Sequence, residues 1–234
     1  MQLKKPFPVI LLGTNSNITK LVDLIHSTGR EIRGIIDDDY YENPQSQFKD
    51  ISVLGTEQIL RDDPGFYRNH FEFICATNWT PDAHIERNRQ KRSRQLALID
   101  ELGLNCATII GNQAVIGSNS RIGAGTVIYD FAVIEPEVTI GEHSIIYDYA
   151  IVGHESHIGS NVVLQRKCLV TSLVTVEDDV YMGLHSSITR SNVRIGQGTF
   201  LHPGIMILRS TERGETVSLV GRDLRKAYQL PVTE

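Results

Sequence analysis

Between Ile110 and Ile188 an aliphatic side chain or methionine returns at every sixth position. The series is Ile110, Ile116, Ile122, Ile128, Ile134, Ile140, Ile146, Val152, Ile158, Leu164, Val170, Val176, Met182 and Ile188. Two residues ahead stands a small or β-branched side chain, as at Ala132, Ser144, Ala150, Cys168 and Ser186. Glycine often follows, as at Gly117, Gly141, Gly153, Gly159 and Gly183. A helix cannot keep one face over a period of six, because its turn holds about 3.6 residues. Residues two apart do share one side of a strand. Each hexad therefore supplies an inward pair, small then aliphatic, and then a turn. Three such strands close one triangular coil, and residues roughly 18 apart stack on one another. Ile188 and Ile195 are seven apart, which predicts a bulge near Ser191–Arg194 before the period resumes at Leu201 and Ile207.

The rest of the chain bounds what such a prism can serve. A formal net charge of −5 over 234 residues argues against a general binder of nucleic acid or anionic membrane. Cys75, Cys106 and Cys168 show no metal-ligand spacing, and an odd count suits a reducing cytoplasm. Cys168 falls on an inward small position and reads as core. No secretory signal stands behind Met1–Pro6, and no apolar run approaches the ~20 residues a bilayer requires. The expected location is the cytoplasm.

Ahead of the repeats, strand and helix patterns alternate. Phe7–Leu12 reads as a buried strand ending at Gly13, and Thr14-Asn15-Ser16-Asn17 as the start of a helix through Ile18, Leu21, Val22 and Ile25. Ile32–Ile36 is a second strand, followed by Asp37-Asp38-Asp39. Pro44–Asp50 reads as a loop, Val53–Thr56 precedes a short helix, and Phe71–Ala76 is a further strand. Thr80-Pro81 opens a long helix to about Leu102. This alternation implies a small parallel α/β sheet. Locally, the Gly13 turn with acids about 24 residues on fits a nucleotide site or a structural cap with solvated aspartates. It lacks the G-x-G-x-x-G fingerprint of NAD binding. The cations Arg87, Arg89, Lys91, Arg92 and Arg94 read as a solvated helix face, the alternative being a phosphate contact from one of them.

The hexad stretch resembles the hexapeptide-repeat acyltransferases, which fold as a left-handed parallel β-helix. The order of parts resembles one subfamily of them: the bacterial nucleotide-sugar N-acetyltransferases acting on amino-dideoxy sugars, and the sialic acid O-acetyltransferases. The resemblance rests on Gly34-Ile35-Ile36-Asp37-Asp38-Asp39, on Val53-Leu54-Gly55-Thr56, and on Ala150-Ile151-Val152-Gly153-His154-Glu155 leading into Ile158-Gly159. It implies a Rossmann-like nucleotide-sugar-binding domain over residues 1–104, a left-handed β-helix over 105–210, and a capping tail over 211–234 that includes Leu219-Val220-Gly221-Arg222. It implies transfer of an acetyl group from acetyl-CoA to the amine of a nucleotide-linked amino sugar, by a homotrimer, without a metal. Gly13, Thr14, Asn15, Asp37 and Asp38 then hold the sugar nucleotide.

Histidine suits proton removal from an attacking amine, since its unperturbed pKa of ~6.5 lies near working pH. His154 falls just past the inward pair, at a corner facing out of the prism, and a neighbouring carboxylate such as Glu155 fixes a tautomer. Read locally, this pair is a catalytic dyad or a surface histidine; the resemblance implies His154 as base with Glu155 as its orienting acid. Arg166, Lys167, Ser172 and Gly183 are the residues expected at the acyl donor, with Arg166 and Lys167 read either as contacts to its pantetheine or phosphates or as solvated side chains. The chain departs from the family where Val163 replaces a second histidine, where Arg166-Lys167-Cys168 and Thr171-Ser172-Leu173 replace small residues, and where His185 and His202 replace glycines. Three other readings stand beside this one. They are a sugar O-acetyltransferase, a non-enzymatic binding or assembly protein, and a zinc hydratase of carbonic anhydrase type drawing on His154, His157, His185 and His202.

Overall fold

The computed structural model describes residues 6–14, 17–41, 47–48, 51–77 and 85–218. The chain divides into two compact units, residues 1–112 with 124–126, and residues 113–123 with 127–234.

In the first unit the apolar run Val9–Leu12 forms β1, with all four residues buried. α1 (Ile18–Ser27) follows, burying Ile18, Leu21, Leu24 and Ile25 along one stripe at helical spacing. Next come β2 (Ile32–Ile36), α2 (Asp38–Tyr41), β3 (Gln47–Phe48), β4 (Ile51–Gly55), α3 (Gln58–Asp62), α4 (Pro64–His70), β5 (Glu72–Cys75) and α5 (Ile85–Leu102). The sheet order is β3-β4-β2-β1-β5. β4, β2, β1 and β5 run parallel, while β3 pairs antiparallel with β4. Ile10, Leu12, Ile36, Leu60, Phe73, Cys75, Leu98 and Ile99 form one core cluster.

Two details differ from the sequence reading and one is untested. The stretch read as a loop carries β3. α4 was not anticipated, although Asp63 accepts the Phe66 N–H at 2.9 Å and Pro64 stands at the first helical position. The proposed Thr80-Pro81 start of the long helix lies outside the described residues.

The second unit is a stack of two-residue parallel strands on three faces. The first face runs Val115–Ile116, Val133–Ile134, Ile151–Val152, Leu169–Val170, Ser187–Ile188 and Met206–Ile207. The second runs Arg121–Ile122, Thr139–Ile140, His157–Ile158, Thr175–Val176 and Arg194–Ile195. The third includes Val127–Ile128, Ile145–Ile146, Val163–Leu164, Tyr181–Met182, Phe200–Leu201 and Thr216–Val217. Partners on a face are 18 residues apart, as in Ile151↔Leu169, until the expected slip makes Thr175↔Arg194 a 19-residue step. Residues 211–217 continue the coil, with Thr211 bridging Ile195 and Thr216–Val217 pairing with Phe200–Leu201. The Leu219–Arg222 segment lies outside the described residues.

The inward pairs fill the prism: Ala132 with Ile134, Ala150 with Val152, Cys168 with Val170 and Ser186 with Ile188 are all buried. Inward hydroxyls are satisfied within the stack. Ser156 donates to the Thr171 carbonyl at 3.0 Å and accepts the Val174 N–H at 3.2 Å, as a buried polar group must. The corners carry a feature that composition did not reveal. One residue per hexad has positive φ, and among the described residues twelve of these are not glycine, from Asn119 to Asn192. Phe131, Tyr149, Glu155, Lys167 and Leu173 are among them, each in a conformation that costs an L-residue about 1–2 kcal/mol.

Candidate active site

The corner Gly153-His154-Glu155-Ser156 leads from the first face to the second. Val152 is fully buried ahead of it, and the His154 side chain is half exposed. Neighbouring coils pin this corner from both sides. The His154 N–H donates to Glu135 Oε2 at 2.8 Å, and the Glu155 N–H to the Pro136 carbonyl at 3.1 Å. The His154 carbonyl accepts the Leu173 N–H at 3.1 Å. Gly153 is required by the coil spacing, since a Cβ there would lie 2.5 Å from the Ser172 nitrogen. His154 Nδ1 stands 3.1 Å from Glu155 Oε1. A carboxylate on Nδ1 favours the tautomer with its proton there, leaving Nε2 as the nitrogen for a reaction partner. Glu135, one coil before, was not singled out in the sequence. Its signal was the stacking offset, 19 residues from His154.

The four residues expected at the donor site fall on two edges of the prism. Ser172 lies on the His154 edge, one coil on. Arg166, Lys167 and Gly183 lie on the edge between the third and first faces. Arg166 Nε bonds Asp148 Oδ1 at 3.2 Å, and its guanidinium sits 5.6 Å from the Tyr147 ring centroid. Lys167 is exposed, with its N–H on the Asp148 carbonyl at 3.2 Å. Gly183 answers a packing need, because a Cβ there would lie 2.6 Å from the Pro203 nitrogen. His202 is half-buried, and desolvation lowers its pKa. Val163 is fully buried. Among the described residues, no three His, Cys, Asp or Glu side chains converge to hold a metal ion.

In the first unit Gly13, Thr14, Asp37 and Asp38 gather at the carboxyl ends of β1 and β2, beside the point where the strand order reverses. Open α/β sheets bind their ligands there. Gly13 takes φ +83°, and a Cβ on it would strike Thr77 Oγ1 at 2.0 Å. Asp37 is fully buried. It accepts the Thr14 hydroxyl at 3.0 Å, the Asp39 N–H at 2.9 Å and Lys91 Nζ at 2.7 Å. Asp38 is partly exposed and accepts the Glu57 N–H at 2.8 Å. Asn15 lies outside the described residues.

The basic run on α5 is a solvated face only in part: the Arg87 and Arg94 side chains are exposed, whereas Lys91 and Arg92 are withdrawn from solvent. Lys91 bridges Asp37 and Asp39, Arg87 pairs with Asp39 at 3.1 Å, and Arg94 approaches Glu57 and Asp38. Buried Arg92 donates to the Cys75 and Thr77 carbonyls at 2.9 and 2.6 Å. Burial opposes the Lys91 charge, but its hydrogen bonds to Asp37 and Asp39 outweigh that and raise its pKa. The Lys91 hydrogen bond lowers the pKa of Asp39, against some desolvation. The sequence did hold a signal: positions 87, 91 and 94 follow helical spacing and share one face.

A left-handed parallel β-helix preceded by a small α/β domain is the fold that comparison with solved structures defines. The chain is similar to the acetyltransferase domain of PglB from Neisseria gonorrhoeae, at 18% identity and a TM-score of 0.75, covering 89% of this chain and 95% of that one. It is similar to WeeI from Acinetobacter baumannii, at 18% identity and a TM-score of 0.71, over 89% and 95%. It is similar to a mutant of GDP-perosamine N-acetyltransferase from Caulobacter crescentus, solved with CoA and GDP-perosamine, at 19% identity and a TM-score of 0.69, over 89% and 92%. A family model described as the GMPPB C-terminal domain matches residues 100–185. No curated protein matches the sequence. The resemblance read from the repeats holds at the level of the fold.

Proposed function

We propose that the protein transfers an acetyl group from acetyl-CoA to the amine of a nucleotide-linked amino sugar. The observation that carries this reading is the His154–Glu155 pair, half exposed on a corner that both neighbouring coils hold in place. The fold adds weight, since a structure similar over nearly its whole length was solved with CoA and GDP-perosamine.

In this reaction the amine nitrogen attacks the thioester carbonyl. Its proton passes to His154 Nε2, the C–S bond breaks, and the departing thiolate takes up a proton as the thiol leaves. Glu155 orients the ring and stabilises the imidazolium that forms. Direct attack needs no covalent enzyme intermediate, and a backbone N–H serves the oxyanion. The carboxyl ends of β1 and β2 take the sugar nucleotide. Asp38 meets the base there, while Asp37, committed to Thr14, Asp39 and Lys91, sets the shape of the loop.

A thiol-release assay with acetyl-CoA against a panel of nucleotide-linked amino sugars tests the proposal. Release with one of them, and an N-acetylated product by mass spectrometry, is the expected result. An O-acetylated product would move the reaction to a hydroxyl. No release with any acceptor would overturn the reading.

A further inference from the structure

The slip in the six-residue step falls on the same edge as His154. Successive corners there are joined by backbone hydrogen bonds, the Leu173 N–H to the His154 carbonyl at 3.1 Å and the Asn192 N–H to the Leu173 carbonyl at 2.9 Å. The residue that makes Thr175↔Arg194 a 19-residue step therefore lengthens a corner two coils beyond His154. That corner carries Arg190, exposed, with one hydrogen bond at 3.5 Å to the Leu208 carbonyl. Three other arginines of the prism are held by carboxylates: Arg166 by Asp148, Arg194 by Glu177 and Arg209 by Glu215. Among the described residues no carboxylate pairs with Arg190. The edge between it and His154 presents the Ser172 hydroxyl and the exposed Leu173 side chain.

Two coils at the ~4.8 Å spacing of neighbouring strands place the Arg190 corner roughly 10 Å along the edge from His154. A coenzyme A thioester has this sequence of chemistry: a reacting carbonyl, an arm that alternates amides with apolar carbons, then phosphates. We propose that Arg190 binds the phosphates of the acyl donor, with the arm laid along the Ser172–Leu173 corner and the thioester at His154. This assignment rests on the donor reading above, and it moves the phosphate contact away from Arg166 and Lys167. A guanidinium pairs with phosphate through two parallel N–H bonds, which a lysine cannot reproduce.

The test uses the full chain in two measurements. Calorimetry of coenzyme A binding is expected to show a loss of about ten-fold or more in Arg190→Ala, with partial recovery in Arg190→Lys and little change in Arg166→Ala. Turnover with acetyl-CoA is expected to show the same loss in kcat/KM. Turnover with S-acetylpantetheine, which lacks the nucleotide phosphates, is expected to stay at the level of the parent protein. Unchanged coenzyme A binding in Arg190→Ala would overturn the inference and leave the donor reading standing. So would an equal loss with both donors, which marks general damage to the corner. If the parent protein binds no coenzyme A, the donor reading fails and the inference with it.

Discussion

Glu155 takes φ 57° while reaching the ring of the residue before it. That backbone conformation costs about 1–2 kcal/mol for a side chain other than glycine, and at a reactive corner the cost has a use. Glu155→Gly separates the two roles: relief of the backbone should leave stability level or higher, while loss of the carboxylate lowers kcat. Thermal melts and turnover on the same preparation check this, and a parallel fall in both would make Glu155 a structural residue. The stronger effect belongs to His154. A positioned acid–base group contributes ~10²–10⁴-fold, so His154→Ala and His154→Asn should each lose turnover on that scale with substrate affinities little changed. Both should keep the fold, because His154 lies outside the buried pair Ala150 and Val152. Near-normal turnover in purified His154→Ala would pass the role to another group. The two aspartates of the first unit should also separate. Asp38→Ala should weaken nucleotide binding by about 1–3 kcal/mol in calorimetry, and Asp37→Ala should destabilise the fold instead.

At the level of elements, α5 and the loops after the strands are held by charge. Lys91 is mostly buried against a fully buried Asp37, and removing one partner of such a pair leaves the other charge uncompensated. Lys91→Met should therefore cost about 3–5 kcal/mol in urea unfolding. Arg87→Ala, which removes an exposed pair, should cost under about 1 kcal/mol. The pH dependence follows from the two shifted groups. Asp39 is depressed, so its contribution is present above the ordinary 3.8 and is lost as pH falls through its lower folded value. Lys91 is raised, so its contribution is present below the ordinary 10.5 and is lost as pH rises through its higher folded value. Melts across pH should show Lys91→Met flattening the acid limb; an unaltered limb would remove Lys91 from the account. The inward pairs of the prism were legible because burial on one side of a strand forces a period on residue type. The positive-φ corners were not, because the backbone imposes that conformation on side chains as different as Phe131, Glu155 and Lys167. The network around Asp37 was half legible. The acids and the cations were each visible as runs, but their pairing joins residues 52 and 54 apart, which no local pattern reports.

For the whole molecule, the three faces of the prism differ in what they turn outward. The second face presents Arg121, Thr139, His157, Thr175 and Arg194, suited to water. The first presents Val115, Val133, Ile151, Leu169, Ser187 and Met206, with Val115 and Met206 56% and 62% exposed. Phe131 and Tyr149, stacked at 5.1 Å and exposed, stand at corners that lead into this face. An apolar column broken only by Ser187, beside the polar second face, marks an association site. We propose that copies of the chain meet through it as a homotrimer, the assembly that the resemblance to hexapeptide-repeat acyltransferases implies. A charge in the middle of the column should then break the assembly without unfolding the coil. Ile151 points outward between the buried residues Ala150 and Val152, so Ile151→Glu leaves the inward pair intact. Light scattering should give three chains per particle for the parent protein and a lower mass for Ile151→Glu, with circular dichroism unchanged. Turnover separates two kinds of site. If the site is shared between copies, activity falls with the mass although His154 is untouched; if it is complete in one chain, activity persists in the dissociated protein. A parent protein that stays monomeric at working concentration would sink the assembly and leave the apolar column for another partner.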